Sequence, residues 1–351
     1  MQVKYLILSF ACLIATGIPA QLPEIQEDSF PVSSLFRSSE VLPLRMRYSQ
    51  KDLRRLTNDS TYMTTFLAYQ AADGVWKDID VKMRVRGNYR LKNCYFPPVK
   101  LKIKNPVAQG TLFEGSNKLK LVLPCLLQKS GNDMVLKEYL AYKFYEVISP
   151  YHFKTRLTDI TFQEEKGKNF RGHFIKGIFI EDIDNVAHRY GGNEIKRSVH
   201  PLEQEGLCSV RNDFFQFMIG NTDYSLAYRH NQKLIFVDKK TIPIPYDFDM
   251  SGLVDAGYAV VSQIQGEKLE ITDVTQRLYR GFRRSPAIYQ LVREEYLSRK
   301  ETIFNLIDSF EGQFTDQDEF RRTRGFIKDF YDILENDSSF GKEILAQART
   351  N

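Results

Sequence analysis

Two kinds of hydrophobic pattern divide the chain. From Leu44 to Ile180, apolar residues mostly alternate with polar or basic residues, which is typical of strands that bury one face. From Asp182 onward, apolar residues recur at helical spacing over most of the chain. The pattern therefore predicts a β-rich N-terminal part and a mostly helical C-terminal part.

The N-terminal part is predicted to hold several short strands and one helix. In the strands near residues 80, 99 and 118, Lys or Arg occupies every second position, so one face is buried and the other is cationic. Residues that favour turns, such as Ala72-Asp-Gly74, separate the strands. The predicted strands are 44–48, 65–69, 80–86, 99–104, 118–123, 156–162 and 173–180, and the predicted helix is 133–148.

The C-terminal part is predicted to be helical except for one β-hairpin. The hairpin is formed by residues 233–237 and 241–246 around a turn at 238–240. The predicted helices are 182–189, 211–219, 285–297, 301–310 and 318–334. Together these elements predict an α+β protein with two lobes: an N-terminal antiparallel sheet plus one helix, and a mostly helical C-terminal lobe that contains the hairpin.

The N-terminus has the layout of a secretory signal peptide. Lys4 precedes a short apolar run that ends in small residues at Ala20, and a polar segment follows. The run is too short to span a bilayer comfortably, and a buried N-terminal helix is the alternative. We predict cleavage near Ala20 and a periplasmic or extracellular protein with no membrane span in the mature chain. The predicted divisions are a signal peptide at 1–20, a polar leader at 21–43, a β-rich lobe at 44–181 and a helical lobe at 182–351.

Composition and cysteine content narrow the class of protein. The chain has 42% hydrophobic residues and a net charge of +5 that is spread along its length, which does not favour a nucleic-acid partner. Cys94, Cys125 and Cys208 follow the predicted signal peptide. A disulfide between Cys94 and Cys125, or three reduced and buried thiols, are both compatible with the sequence. No cysteine or histidine set has the spacing of a zinc site.

The candidate chemistry lies around the predicted hairpin. Asp223 and Asn231 precede it, and Asp247 and Asp249 follow it. Phosphoryl transfer from a nucleotide needs a carboxylate to orient the attacking hydroxyl, and an Asn and an Asp to hold magnesium between phosphates. This set supplies all three groups.

The same segment resembles the CotH kinase-like family, named after spore-coat protein H, and its uncharacterised exported relatives. The resemblance extends from about residue 82 to residue 281. The matching blocks are RVRGN at 84–88, KLKLV at 118–122, KEYLAY at 137–142, GIFIEDI at 177–183, IGNTDY at 219–224 with HN at 230–231, and PYDFD at 245–249. The resemblance implies a two-lobed kinase-like fold that binds ATP and Mg²⁺ or Mn²⁺.

The resemblance also implies roles for individual residues. Asp223 would be the catalytic base, and Asn231, Asp247 and Asp249 would hold the metal. Lys120, or its neighbour Lys118, would contact the nucleotide phosphates.

Three further residues complete the implied nucleotide site. Glu138 would pair with the phosphate-binding lysine, Glu181 would lie where an adenine binds between the lobes, and Arg86 would neutralise phosphate charge. The chain lacks the HRD, DFG and GxGxxG motifs, which excludes an ordinary protein kinase.

The sequence leaves other interpretations open. Asp247 and Asp249 are also compatible with a turn that caps the next segment, or with the aspartyl nucleophile motif of haloacid-dehalogenase-like phosphatases. Asp223 and Asn231 suit turns, Lys118 and Lys120 suit a solvated face, and Glu138 suits an exposed helix surface.

We predict an exported atypical kinase that transfers phosphate from a nucleotide to a protein or glycan hydroxyl in the envelope. The alternative is a non-catalytic envelope or surface binding module, a pseudokinase with the same fold.

Overall fold

The structure is a computed structural model that describes residues 32–87, 89–263, 266 and 268–350. The predicted signal peptide and the first part of the predicted leader lie outside the described residues. No helix within the described ranges is long and apolar enough to cross a membrane.

Seven strands close into a barrel in the order β1-β2-β3-β4-β5-β7-β6. All neighbours are antiparallel except β1 and β6, which pair in parallel from Leu42 opposite Thr158 to Tyr48 opposite Glu164 and so close the barrel. The strands are β1 Leu42–Tyr48, β2 Met63–Gln70, β3 Trp76–Val85, β4 Val99–Lys102, β5 Lys118–Val122, β6 Thr155–Lys166 and β7 Asn169–Ile180.

The predicted two-lobed kinase-like fold is therefore wrong. The N-terminal strands do not form an antiparallel sheet, because the parallel β1–β6 pair closes them into a mixed barrel. Periodicity shows which face of a strand is buried, but it does not show which distant strand becomes the neighbour.

The barrel is filled by the alternating apolar residues of its strands. Ile79, Val81, Met83 and Val85 of β3 all point inward, and each is at most 3% exposed. Each large aliphatic side chain that is fully buried in this way contributes roughly 1.5–3 kcal/mol to folding. The residues between them point outward, so the cationic positions of β3, β4 and β5 lie on the outer surface.

Helix α5, Ser130–Ile148, joins the barrel to the rest of the chain. Its buried residues Leu136 and Phe144 share one core with strand residues such as Ile178 and with Phe214 from the C-terminal helices. The helices are α1 Ser34–Arg37, α2 Gln50–Leu56, α3 Tyr89–Asn93, α4 Asn105–Ala108, α5, α6 Ile183–Arg189, α7 Gly206–Met218, α8 Pro286–Ser298, α9 Lys300–Ser309, α10 Gln317–Glu335 and α11 Asp337–Phe340. This shared core is a second reason why the C-terminal part is not a separate helical lobe.

The predicted hairpin is confirmed. Strands β9, Gln232–Val237, and β10, Lys240–Pro245, are antiparallel, and a short strand β8, Asn193–Ile195, pairs with β9. The two turn residues, Asp238 and Lys239, have φ angles of 48° and 63°, which is the backbone of a tight two-residue hairpin turn. The other predicted strands and helices each overlap an observed element.

The structure also resolves the cysteine alternatives. Cys94 and Cys125 form a disulfide, and Cys208 is a buried free thiol. The disulfide ties the segment that follows α3 to the segment that follows β5.

Candidate functional site

The hairpin brings Asn231 next to the segment that holds Asp247. Gln232 pairs with Pro245 at the open end of the hairpin, and the Tyr246 N–H donates to the Asn231 carbonyl oxygen at 3.1 Å. Residues that are far apart in sequence therefore lie side by side at the base of the hairpin.

Asp223 lies at the centre of a small polar cluster. The Asn231 amide donates to Asp223 Oδ2 at 3.0 Å, the Ser262 hydroxyl donates to Oδ1 at 3.1 Å, and His230 Nε2 is 3.2 Å from Oδ1. The hydrogen bond to Asp223 raises the pKa of His230. An Asx turn is present, but the Asn221 side chain makes it by accepting from the Asp223 N–H. The Asp223 carboxylate is thereby left to face the cluster.

Asp247 has a strained backbone that other groups hold in place. Its φ angle is 67°, in the left-handed region that non-glycine residues rarely adopt. Its N–H donates to the hydroxyl of Tyr142, a buried residue of α5, at 2.9 Å. Its carboxylate lies 3.7 Å from the Arg86 guanidinium. Strain of this kind persists where the surroundings over-determine it and is concentrated at functional sites.

Two buried carboxylates share one arginine next to Asp247. Arg90 Nη1 lies 3.9 Å from Glu138 and 3.6 Å from Asp249, and the Tyr258 hydroxyl donates to Asp249 at 3.0 Å. Glu138 is 2% exposed, and its Oε1 atom has no hydrogen-bond partner among the residues that the structure describes. Burial raises the pKa of both carboxyls. The Asp249 charge raises the pKa of Glu138 further, and the Asp247 charge raises that of Asp249.

Carboxyl groups outnumber the cationic side chains around Asp247. Asp223, Glu138, Asp247 and Asp249 contribute four carboxyl groups, whereas their ion pairs within the described residues involve two arginines and one histidine. Carboxylate and amide oxygens, such as those of Glu138 and Asn231, are the ligand types that magnesium prefers. In the part of the chain that the structure describes, no three His, Cys, Asp or Glu side chains are grouped as a metal site. Asp223, Glu138, Asp247 and Asp249 therefore do not form such a group, and the metal role of Asn231, Asp247 and Asp249 stays a prediction.

Lys120 faces a cationic cleft beside this cluster. The cleft has a volume of about 430 Å³. The Lys120 ammonium lies 4.5 Å from the ring of Tyr246 and 5.3 Å from that of Phe153. Burial, and then the nearby Arg86 charge, lower the pKa of Lys120 to about 7. Lys118 also lines the cleft but is half exposed and ion-paired with Asp184 at 3.0 Å, which agrees with a solvated role.

The predicted pair between Lys120 and Glu138 is not formed. Glu138 is buried rather than exposed on the helix surface, and the arginine beside it is Arg90. Glu181 does not line the cationic cleft either. Its carboxylate is buried and accepts from Arg189 at 2.7 Å and from the Lys154 N–H at 3.1 Å.

The sequence analysis assigned no role to five residues of the site. Tyr142 had a usable signal, since it lies four residues after Glu138 and so on the same face of α5. The other four sit in short or irregular segments whose positions depend on the tertiary structure: Arg90, His230, Tyr258 and Ser262.

Comparison with known proteins does not extend this picture. No protein-family model matches the chain, and no curated protein matches it.

Proposed function

We propose that this protein is a divalent-metal-dependent phosphotransferase, an atypical kinase that transfers a phosphoryl group from ATP to a protein or glycan hydroxyl in the envelope. The observation that carries the proposal is the convergence of Asp223, Asn231 and the strained Asp247 at the base of one hairpin. Lys120 lines a cationic cleft and lies close enough to Asp247 for that carboxylate to raise its pKa against the effect of burial. A base, a cation site and a phosphate-binding cation are the parts that phosphoryl transfer requires.

Each residue has a role that follows from its contacts. Asp223 accepts hydrogen bonds from three neighbours and takes the proton of the attacking hydroxyl. Asn231, Asp247 and Asp249 would hold Mg²⁺ or Mn²⁺, which neutralises phosphate charge when bound. Lys120 binds phosphate oxygens, and Arg86, which is 3.7 Å from Asp247, keeps that carboxylate oriented.

The resemblance to the CotH kinase-like family supports the same assignment, because its blocks contain the residues of this cluster. The proposal rests on the site and not on a kinase-like fold, since unrelated folds can carry the same chemistry. The predicted signal peptide and the Cys94–Cys125 disulfide support an oxidising compartment outside the cytoplasm.

Substitution of Asp247 tests the proposal. Asn tolerates the left-handed backbone at this position, so Asp247→Asn keeps the fold while removing the charge. We expect it to lower metal-dependent phosphate transfer from ATP by roughly 10²–10³-fold, as measured with radiolabelled ATP and envelope material. Asp78→Asn, a change at an exposed residue of β3, is the matched control and should leave transfer unchanged.

A parent protein that neither binds ATP with Mg²⁺ nor transfers phosphate would overturn the proposal, as would equal activity of Asp247→Asn and the parent. The pairing of Glu138 with Arg90 instead of Lys120 favours a second candidate, a non-catalytic binding module. Nucleotide binding that stabilises the protein against heating, without any transfer, would identify that candidate.

A further inference from the structure

The outer surface of the barrel carries a regular array of cations. On three adjacent strands, Lys82 pairs with Lys102 and Lys102 with Lys118 across the sheet. Two residues away on each strand, Arg84 pairs with Lys100 and Lys100 pairs with Lys120. We call these residues the cationic face: Lys82, Arg84, Lys100, Lys102, Lys118 and Lys120.

This array is costly for the fold. Like charges directly opposite each other on neighbouring strands are destabilising. Arg84 and Lys118 are relieved by ion pairs with Asp59 and Asp184, both on the surface. The described residues place no carboxylate within ion-pair distance of Lys82 or Lys100. An arrangement that does not stabilise the barrel is explained if it serves to bind an anionic ligand.

The cationic face is continuous with the proposed active site. Most of it lines the cleft, together with Lys233 of β9, which lies two residues after Asn231. Seven lysine and arginine residues line this cleft against four acidic residues, so its walls are net positive. Lys120 alone supplies the phosphate contact that the nucleotide needs, and the remaining cations extend away from it across the strands.

We propose that the cationic face binds an acidic peptide segment of the phosphate acceptor, with Asp or Glu at alternate positions. This inference rests on the proposed function. Cations two residues apart on one strand are separated by roughly 7 Å, which is also the separation of alternate side chains in an extended peptide. A peptide that lies along the strands therefore presents its carboxylates in register with pairs such as Lys82 and Arg84. Ligand and surface are complementary in both charge and spacing.

The test is peptide binding in the absence of nucleotide. A short fluorescent peptide with a central Ser and Glu at alternate positions is titrated with the mature protein, and anisotropy gives Kd. We expect binding that weakens several-fold as salt rises from about 50 to 300 mM. The variant Lys82→Gln/Lys102→Gln should weaken binding by about five- to tenfold. The matched control Lys51→Gln/Lys168→Gln, at exposed lysines elsewhere, should bind like the parent.

Three outcomes would overturn the inference. One is equal binding by the parent and Lys82→Gln/Lys102→Gln. Another is equal binding of a peptide of the same composition whose glutamates are consecutive, because the spacing would then be irrelevant. The third is tighter binding of a polyuronate glycan than of the peptide, together with loss of that glycan binding in Lys82→Gln/Lys102→Gln. This result would assign the cationic face to a glycan.

A lack of peptide binding can be distinguished from a lack of the proposed kinase function. Stabilisation of the protein by ATP and Mg²⁺ is measured separately. Lys82 is exposed and does not line the cleft, so Lys82→Gln alone should leave that stabilisation intact.

Discussion

Glu181 and Glu138 are both buried glutamates beside an arginine, yet their carboxylates are held differently. Both oxygens of Glu181 accept hydrogen bonds from Arg189, at 2.8 and 2.7 Å, and Oε2 also accepts from a backbone N–H. Glu138 lies 3.9 Å from Arg90 and shares that arginine with Asp249, and within the described ranges its Oε1 atom has no partner. Burial raises the pKa of both glutamates, so the difference between them lies in their partners.

The difference separates a structural ion pair from a candidate ligand-binding site. A buried carboxylate with well-formed hydrogen bonds needs no further group, whereas one left partly unpaired carries a large desolvation cost. Such incompletely compensated groups are expected where a ligand or cation completes the site. Glu181 was predicted to lie at the nucleotide site. Its complete ion pair with Arg189 instead makes it a structural residue.

Substitution of Arg189 is expected to have the largest effect on the difference between the two glutamates. The variant Arg189→Met leaves the Glu181 carboxylate buried without its main partner. We expect the free energy of unfolding to fall by about 3–5 kcal/mol, measured by urea denaturation. The double variant Arg189→Met/Glu181→Gln should recover part of this loss, because no unpaired charge remains. If Arg189→Met is as stable as the parent, the pair is not structural.

On the other side of the comparison, Glu138→Gln should act on metal binding more than on stability. The substitution removes one of two repelling carboxylates, so the free energy of unfolding should stay level or rise. Affinity for Mg²⁺, measured by titration against thermal unfolding, should fall by about 10–100-fold. The control Glu203→Gln changes an exposed glutamate and should have neither effect. A clear loss of stability without loss of metal binding would make Glu138 a structural residue like Glu181.

The smallest expected effect concerns the pH dependence that Lys120 confers. Its pKa is about 7 in the folded protein, whereas the ordinary value is 10.5. Between these values the unfolded chain binds more protons, so the Lys120 contribution to stability increases with pH. The free energy of unfolding of Lys120→Met, relative to the parent, should therefore fall with rising pH by at most about 1.4 kcal/mol per pH unit. Urea denaturation between pH 6 and 10 measures it, and a constant difference across this range would contradict the assignment.

Much of the local structure was predictable because it depends on neighbours in sequence. The alternation in β3 placed Val81 and Met83 inside and Lys82 outside, and both placements are confirmed. The turn at Asp238 and Lys239 joins two strands whose apolar patterns were evident. Asp223, Asn231 and Asp247 were predicted to lie together for the same reason, since one short hairpin separates them. Their proposed chemistry stays a prediction.

The pairings that decide the site were not predictable in this way. Glu138 is paired with Arg90 because α3 is tied back toward the end of β5 by the Cys94–Cys125 disulfide and by the bond from Arg90 to the Leu123 carbonyl oxygen. No periodicity in the sequence marks this contact. The prediction of a Lys120–Glu138 pair failed for that reason.

The sequence by itself determined the seven barrel strands, helices α5 to α10, their buried faces and the β9–β10 hairpin, but not the short helices α1 to α4 and α11 or strand β8. These features arise from backbone geometry and side-chain patterns that act over a few residues. Only the tertiary structure decided that β1 pairs with β6 to close a barrel, and which arginine each buried glutamate receives. These pairings depend on contacts between segments that are distant in sequence. The free energy of each contact depends on how the whole core packs.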